Sequence, residues 1–183
     1  MNLLREMTEN EFLLMLINED QYIEQLEKIV KAVEKSHTKI CYVCLNKPYQ
    51  DIINELKARK IDTSRFLFVD VLTSHYKKPE ACENCIFLSS PSNLDELKDA
   101  IKDAMKVGCN AIIMDTVSTL LVYQDASSII SFTHKILTEG NKGVKKLFIV
   151  LKEDPLSEES RMLVDDLNMF ADKKIEITKD LLR

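Results

Sequence analysis

The sequence predicts an α/β fold, a three-layer α/β/α arrangement around a mainly parallel central sheet. Three observations carry that expectation. Apolar runs of strand length recur along the chain, near-continuous rather than alternating, as in strands buried on both faces. Segments with apolar residues at helical spacing separate them, which favours βαβ crossovers and hence parallel pairing. The run at 111–114, AIIM, stops at a carboxylate, Asp115, and hands over to Thr116 and Ser118. A buried strand ending in an acid, then a hydroxyl-rich turn, is how nucleotide-binding sheets present a metal-coordinating group at the strand carboxyl ends.

In chain order, residues 1–7 suit a short helix, with Thr8, Glu9 and Asn10 as turn or cap residues. Residues 12–17 form the first strand, 18–21 the turn after it, and 22–36 a helix with Ile23, Leu26, Ile29, Val30 and Val33 at helical spacing. Residues 39–45 make a second strand rich in β-formers. Pro48 then stands at a plausible first position for a helix over 49–60. A third strand covers 66–71. Residues 72–83 are less regular and form the longest candidate loop, expected to be mobile.

A short fourth strand at 85–88 precedes a helix capped by Ser92 or Asn93 and running to about residue 106. The Asp115 strand follows, then a helix over 127–138 and a sixth strand over 146–151. Ser157, with Glu158 and Glu159 behind it, suits the start of a helix reaching residue 170. Residues 174–177 close with a short strand fit for a sheet edge. No internal repeat, linker or low-complexity segment interrupts this order, so one domain over residues 1–183 is expected.

Composition excludes several classes. With 45% hydrophobic and 30% charged residues the chain is that of a globular protein with a real core. A net charge of −5, with no Lys/Arg-rich stripe, argues against a nucleic-acid partner. No apolar run approaches the roughly 20 residues that cross a bilayer, and the first residues lack a secretion signal. Five cysteines, an odd count, fit a reducing compartment better than a disulfide framework. A cytoplasmic location is expected, and the Ile-, Lys- and Glu-rich, Gly-poor composition is compatible with an archaeal source.

Three stretches together resemble the RecA/KaiC-like ATPases, particularly the archaeal KaiC-like group. KICYVCLNKPYQDIINELKARKID is similar to that family's second strand and helix. CIFLSSPSNLDELKDAIKDAM is similar to the strand and helix before its Walker B strand, and AIIMDTVSTLLVYQDASSIISFTHKI to the Walker B strand, its turn and the next helix. The likeness runs from about residue 12 to residue 151. It implies a P-loop NTPase core, but one without a P-loop, with Asp115 as the Walker-B-like acid.

Two departures fall where the family's chemistry would be. The phosphate loop GxxxxGK[ST] should follow the first strand, and the chain instead has Asn18, Glu19, Asp20 and Gln21, with neither glycine nor lysine. Glu19 and Asp20 put negative charge where a helix N-terminus would welcome phosphate. The family's catalytic glutamate lies just after its second strand, and Asn46 and Lys47 stand there; neither is a competent base at neutral pH. The expected strand ends carry Glu19, Asp20, Asp70, Asp115, Glu153 and Asp154 against Lys47 and Lys152, an acidic rim.

The remaining candidates have plain readings beside functional ones. Asp115 suits a cap on its own turn, assisted by Ser118, with Asp115 and Asp70 as candidate metal ligands. Cys82 and Cys85 form a CxxC at a loop-to-strand junction, a candidate redox pair or simply packed thiols. Cys41 and Cys44 lie three apart in a strand and point to opposite faces, so they cannot grip one metal. Cys109 reads as a small core residue. His37 follows a helix end that favours a partly positive imidazole, His75 lies in the irregular loop, and His37, His75 and His134 form no triad. The lysines at 142–146 read as a solvated turn.

Two functions compete. One is a catalytically inactive RecA/KaiC-like domain acting as a regulatory or protein-interaction module, its partner a second copy or an active family relative, with no cofactor expected. The alternative is a divergent enzyme that holds Mg²⁺ and a nucleotide or phospho-compound on the acidic rim.

Overall fold

The computed structural model describes residues 2–139, 142–153 and 155–177, and its seven strands join one sheet in which every strand pairing is parallel. The strands are β1 (Phe12–Asn18), β2 (Ile40–Cys44), β3 (Phe66–Asp70), β4 (Cys85–Phe87), β5 (Ala111–Asp115), β6 (Lys145–Lys152) and β7 (Lys173–Ile177). Their spatial order is β4-β3-β2-β5-β6-β1-β7, so β7 is an edge strand as expected. The helices are α1 (Leu3–Glu9), α2 (Tyr22–Ser36), α3 (Tyr49–Ala58), α4 (Thr73–Tyr76), α5 (Leu94–Lys106), α6 (Ala126–Thr138) and α7 (Glu158–Phe170).

Strand alternation sorts the core into two clusters. Ile40, Tyr42 and Cys44 of β2 share one face with Leu13 and Ile113, covered by Leu3, Ile29 and Ile52 from α1, α2 and α3. Cys41, Val43 and Leu45 share the other with Leu14 and Met114, covered by Ile101, Ile129 and Leu163 from α5, α6 and α7. Burial on both sides is why the strands read as continuous apolar runs.

Local signals set the helix ends. Asn93, Asp125 and Ser157 each accept the N–H three residues on, at 3.1, 2.9 and 3.1 Å. At the end of α5, Gly108 adopts φ +97° while its N–H reaches Met105 and that of Cys109 reaches Ala104, a Schellman motif that delivers the chain into β5.

Four expectations change. The first helix is shifted, with Asn2 as its cap and Asn10 beyond its end. The segment after β3 is not all loop: the short helix α4 occupies Thr73–Tyr76, and Leu72 and Thr73 are buried. The lysine run is a solvated turn only at its start, because Lys145 and Lys146 belong to β6 and Lys146 is 2% exposed. Its ammonium is held by Glu11 and by the Val144 carbonyl, both at 3.1 Å. His37 is buried, and desolvation holds its imidazole below the ordinary value, so burial outweighs the helix end.

Candidate functional site

The last sheet layer on the α2/α3 face carries three polar side chains in register. Cys44 pairs laterally with Asp70 on β3 and with Asp115 on β5. Both carboxylates are fully buried. Two strand spacings, about 10 Å of backbone, separate them, and the Cys44 thiol stands between, its ionisation suppressed by burial and then by Asp70.

Asp115 is held by two phenols. Tyr22, the first residue of α2, donates its hydroxyl to both carboxylate oxygens at 2.7 Å. Tyr42, two residues before Cys44 and therefore on the same face, donates a further short hydrogen bond to Oδ2. β6 lies between β1 and β5, so a group entering from α2 must bridge an intervening strand, and the length of a tyrosine does this. Burial pushes the Asp115 carboxyl up to about 6, against the opposing pull of Tyr42, Tyr22 and Lys47. Burial and the adjacent carboxylate push both phenols above their ordinary range, so they remain donors at neutral pH.

The expectation that Asp115 caps its own turn, with Ser118 assisting, is corrected. Its backbone carbonyl, rather than its side chain, takes the N–H groups of Leu45 and Asn46, at 2.8 and 3.0 Å. The Asp115–Thr116 peptide bond is cis. Ser118 lies in a 3-10 turn, Val117–Val122, that sequence pattern did not reveal, and its hydroxyl accepts the Leu151 N–H at 3.1 Å.

Asp70 performs the capping that was expected of Asp115. Its Oδ1 accepts the N–H groups of Leu72 (2.7 Å) and Thr73 (2.9 Å). Its Oδ2 accepts the N–H of Tyr49 (2.7 Å) and the Thr73 hydroxyl (2.5 Å). Asp70 thereby joins the turn after β3 to the first residue of α3. The candidate metal pair is not brought together, since Asp70 and Asp115 face separate hydrogen-bond sets. Among the described residues no cluster of three or more His, Cys, Asp or Glu side chains could hold a metal ion.

Asn18, the last residue of β1, and Glu19 and Asp20 after it are exposed, and Glu19–Gln21 form one 3-10 turn before α2. Gln21 is buried with its side-chain oxygen unpartnered among the described residues. Lys47 is turned to Glu55 of α3, at 2.5 Å, and its ammonium lies 5.9 Å from the Tyr22 ring centroid. Of the expected acidic rim, Asp70 and Asp115 lie inside the protein; Lys152 pairs with Glu176 at 3.2 Å, and Asp154 lies outside the described residues. Tyr22, Tyr42 and Glu55 are the site residues that sequence reading missed.

The five cysteines are free thiols. Cys41 and Cys44 fall in opposite core clusters, as their spacing required, and Cys109 is a core residue. Cys82 and Cys85 pair as an isolated antiparallel bridge across a two-residue turn. His75 is exposed on α4 against Tyr76, and His134 pairs with Asp166 at 2.8 Å; neither approaches a triad.

No protein-family model and no curated protein sequence matches the chain. Solved structures do. A KaiC-like protein of the hyperthermophilic archaeon Pyrococcus horikoshii superposes with a TM-score of 0.65 at 15% identity, over 93% of this chain and 75% of that one. The chain has the RecA/KaiC-like ATPase fold. The flagellar accessory protein FlaH of Methanocaldococcus jannaschii matches with a TM-score of 0.58 at 13% identity, over 91% of this chain and 70% of that one. An ATPase of the type III secretion system of pathogenic bacteria matches with a TM-score of 0.63 at 11% identity, over 93% of this chain and 52% of its own length. Identities this low establish the RecA/KaiC-like fold alone, so the chemistry rests on this chain's own residues. No helix among the described residues is long and apolar enough to cross a membrane.

Proposed function

We propose that this chain is a RecA/KaiC-like domain that does not turn over nucleotide and works through protein contacts. The single observation carrying the reading is the Asp115 carboxylate, closed off by the hydroxyls of Tyr22 and Tyr42. A magnesium ion would have to displace both phenols and reach a fully buried carboxylate. The residues present do not fit a magnesium–nucleotide. Where a phosphate loop would run, Glu19 and Asp20 stand at the surface without glycine or lysine, and Lys47, beyond β2, is committed to Glu55.

The interaction half of the proposal is supported by exposed apolar side chains on α7, Met162, Met169 and Phe170, and by Val122 in the 3-10 turn. One matching structure is that of a flagellar accessory protein, and a regulatory or accessory role in a reducing, cytoplasmic setting is the natural use of such a domain. A second copy or an active relative of the same fold is the proposed partner.

Titration calorimetry with Mg-ATP tests the first half, with no saturable heat expected. Micromolar binding by the unsubstituted protein would overturn it. Sedimentation of the chain, alone and with a nucleotide-binding relative from the same source, tests the second. A complex is expected, and a monomer in both experiments rejects the interaction reading.

A further inference from the structure

Cys82 and Cys85 bracket a turn formed by Glu83 and Asn84 and are bridged to each other as antiparallel partners. Residues so paired stand about 4.5–5.5 Å apart at Cα with side chains on one face. That lies inside the roughly 4.4–6.8 Å that a disulfide accepts. Both thiols pack against the same apolar cluster, the one beneath α2 and α3. Two adjacent, similarly directed thiols across a tight turn need little backbone movement to join.

Their exposure differs in a useful order. Cys82 is half-buried and lines a cleft of about 580 Å³ between the start of α3 and the segment that follows α4. Cys85 lies behind it at 7% exposure. A reagent entering the cleft meets Cys82 first. Its sulfur already sits in a polar setting, 3.2 Å from the Tyr49 hydroxyl and 2.9 Å from the Asn84 side-chain oxygen. Lys57, Lys77 and Lys78 line the cleft against Asp51 and Glu80, an excess of positive charge on a chain whose net charge is −5. Such a mouth favours an anionic visitor.

We propose that Cys82 and Cys85 form a reversible disulfide by exchange with a small anionic disulfide admitted through this cleft. The Cys82 thiol gives up its proton, and its sulfur attacks one sulfur of the visitor, breaking that S–S bond and releasing one thiolate, which takes up the proton. Cys85 then loses its proton, attacks the Cys82 sulfur of the mixed disulfide and expels the second thiolate, which is protonated in turn. The two protein thiols are oxidised and the small disulfide is reduced to two thiols. The new bond closes the turn and fixes the end of the cleft wall that runs from Lys77 to Cys82. The proposal does not depend on the nucleotide reading, because neither cysteine contacts Asp115.

Oxidised glutathione is a suitable probe for the full chain. Intact mass is expected to fall by two hydrogens with no glutathione retained, two of the five thiols disappear, and peptide mapping joins Cys82 to Cys85. Cys85→Ser should stop at a single glutathione adduct on Cys82. Replacing Lys57, Lys77 and Lys78 together by alanine should slow the reaction several-fold, while the rate with neutral hydroxyethyl disulfide stays the same. No reaction, a stable adduct on Cys82 of the unsubstituted protein, or oxidation centred on Cys41, Cys44 or Cys109 overturns the assignment. Equal slowing with both probes overturns the part given to the lysines.

Discussion

The hydroxyl of Tyr22, at the start of α2, lies 2.7 Å from each carboxylate oxygen of Asp115, at the end of β5. One long side chain thus joins the first crossover of the fold to its central strand. Tyr22→Phe keeps the ring and removes the donor. A hydrogen bond to a charged group contributes about 1.5–3 kcal/mol, and a loss in that range is expected in urea denaturation at neutral pH. The Asp115 carboxyl should move above its present value of about 6, because the bond favours the ionised form. Carbon-detected NMR of the carboxyl reads that shift directly. Tyr42→Phe, whose ring stays packed 5.7 Å from Phe68, should act in the same direction. A carboxyl that titrates lower in either variant would refute the arrangement.

The same carboxyl makes stability depend on pH with a definite sign. Asp115 titrates at about 6 in the folded chain against an ordinary 3.8, so between those values the folded state binds more protons than the unfolded one. Its contribution is therefore full below about 4 and declines as pH rises to about 6. A shift of this size corresponds to roughly 2–3 kcal/mol. Other acids, such as Glu6 and Glu27, are held low by their lysine and arginine partners and act oppositely. The clean observable is thus the difference between the unsubstituted chain and Asp115→Asn. Denaturation curves from pH 4 to pH 7 should diverge through this window, and parallel curves would show that Asp115 is not the group titrating there.

How legible the molecule was depended on how local each determinant is. The strands and α2 could be read directly, because double-sided burial writes itself as unbroken apolar runs and a helix face repeats every few residues. The Asp115 site could not. Tyr22 and Tyr42 are 93 and 73 residues away in sequence, and only the strand order puts them beside the carboxylate. The lysine run misled for a similar reason: Lys146 is buried because Glu11, 135 residues earlier, comes to meet it. Asp70 is the instructive contrast, since its partners Leu72 and Thr73 are two and three residues on. An aspartate followed by a threonine at that spacing is a turn signal that sequence alone could have yielded.

That turn gives a third expectation. Asp70 accepts four hydrogen bonds from Tyr49, Leu72 and Thr73 while fully buried. Asp70→Asn swaps one accepting oxygen for an amide that faces donors, and the orphaned groups should cost about 2–4 kcal/mol. The loss should be local first. Hydrogen exchange at the amides of Leu72 and Thr73 is expected to accelerate more than at the β5 amides, because the turn opens without the sheet. Uniform acceleration across both would mean that Asp70 supports the whole fold rather than its own turn.

Lys146 offers a test in which removing a charge is expected to be harmless. Its ammonium is buried in β6, beside Phe12 of β1 in register, with Glu11 and the Val144 carbonyl as partners. Desolvation opposes ionisation of Glu11, yet the Lys146 ammonium and the Gly143 N–H hold its carboxyl below the ordinary value. Glu11 is itself 44% exposed, so solvent screens the pair and its net contribution is small. A buried ion can often be exchanged for an apolar side chain of similar volume without loss. Lys146→Met should therefore match or exceed the unsubstituted chain in stability. Glu11→Gln, by contrast, leaves the ammonium buried with weaker partners and should cost about 1 kcal/mol. In the double variant that cost should vanish, because the charge needing a partner is gone. Urea midpoints at unchanged slope separate these outcomes, and a large loss in Lys146→Met alone would mean that the ion pair is a net source of stability.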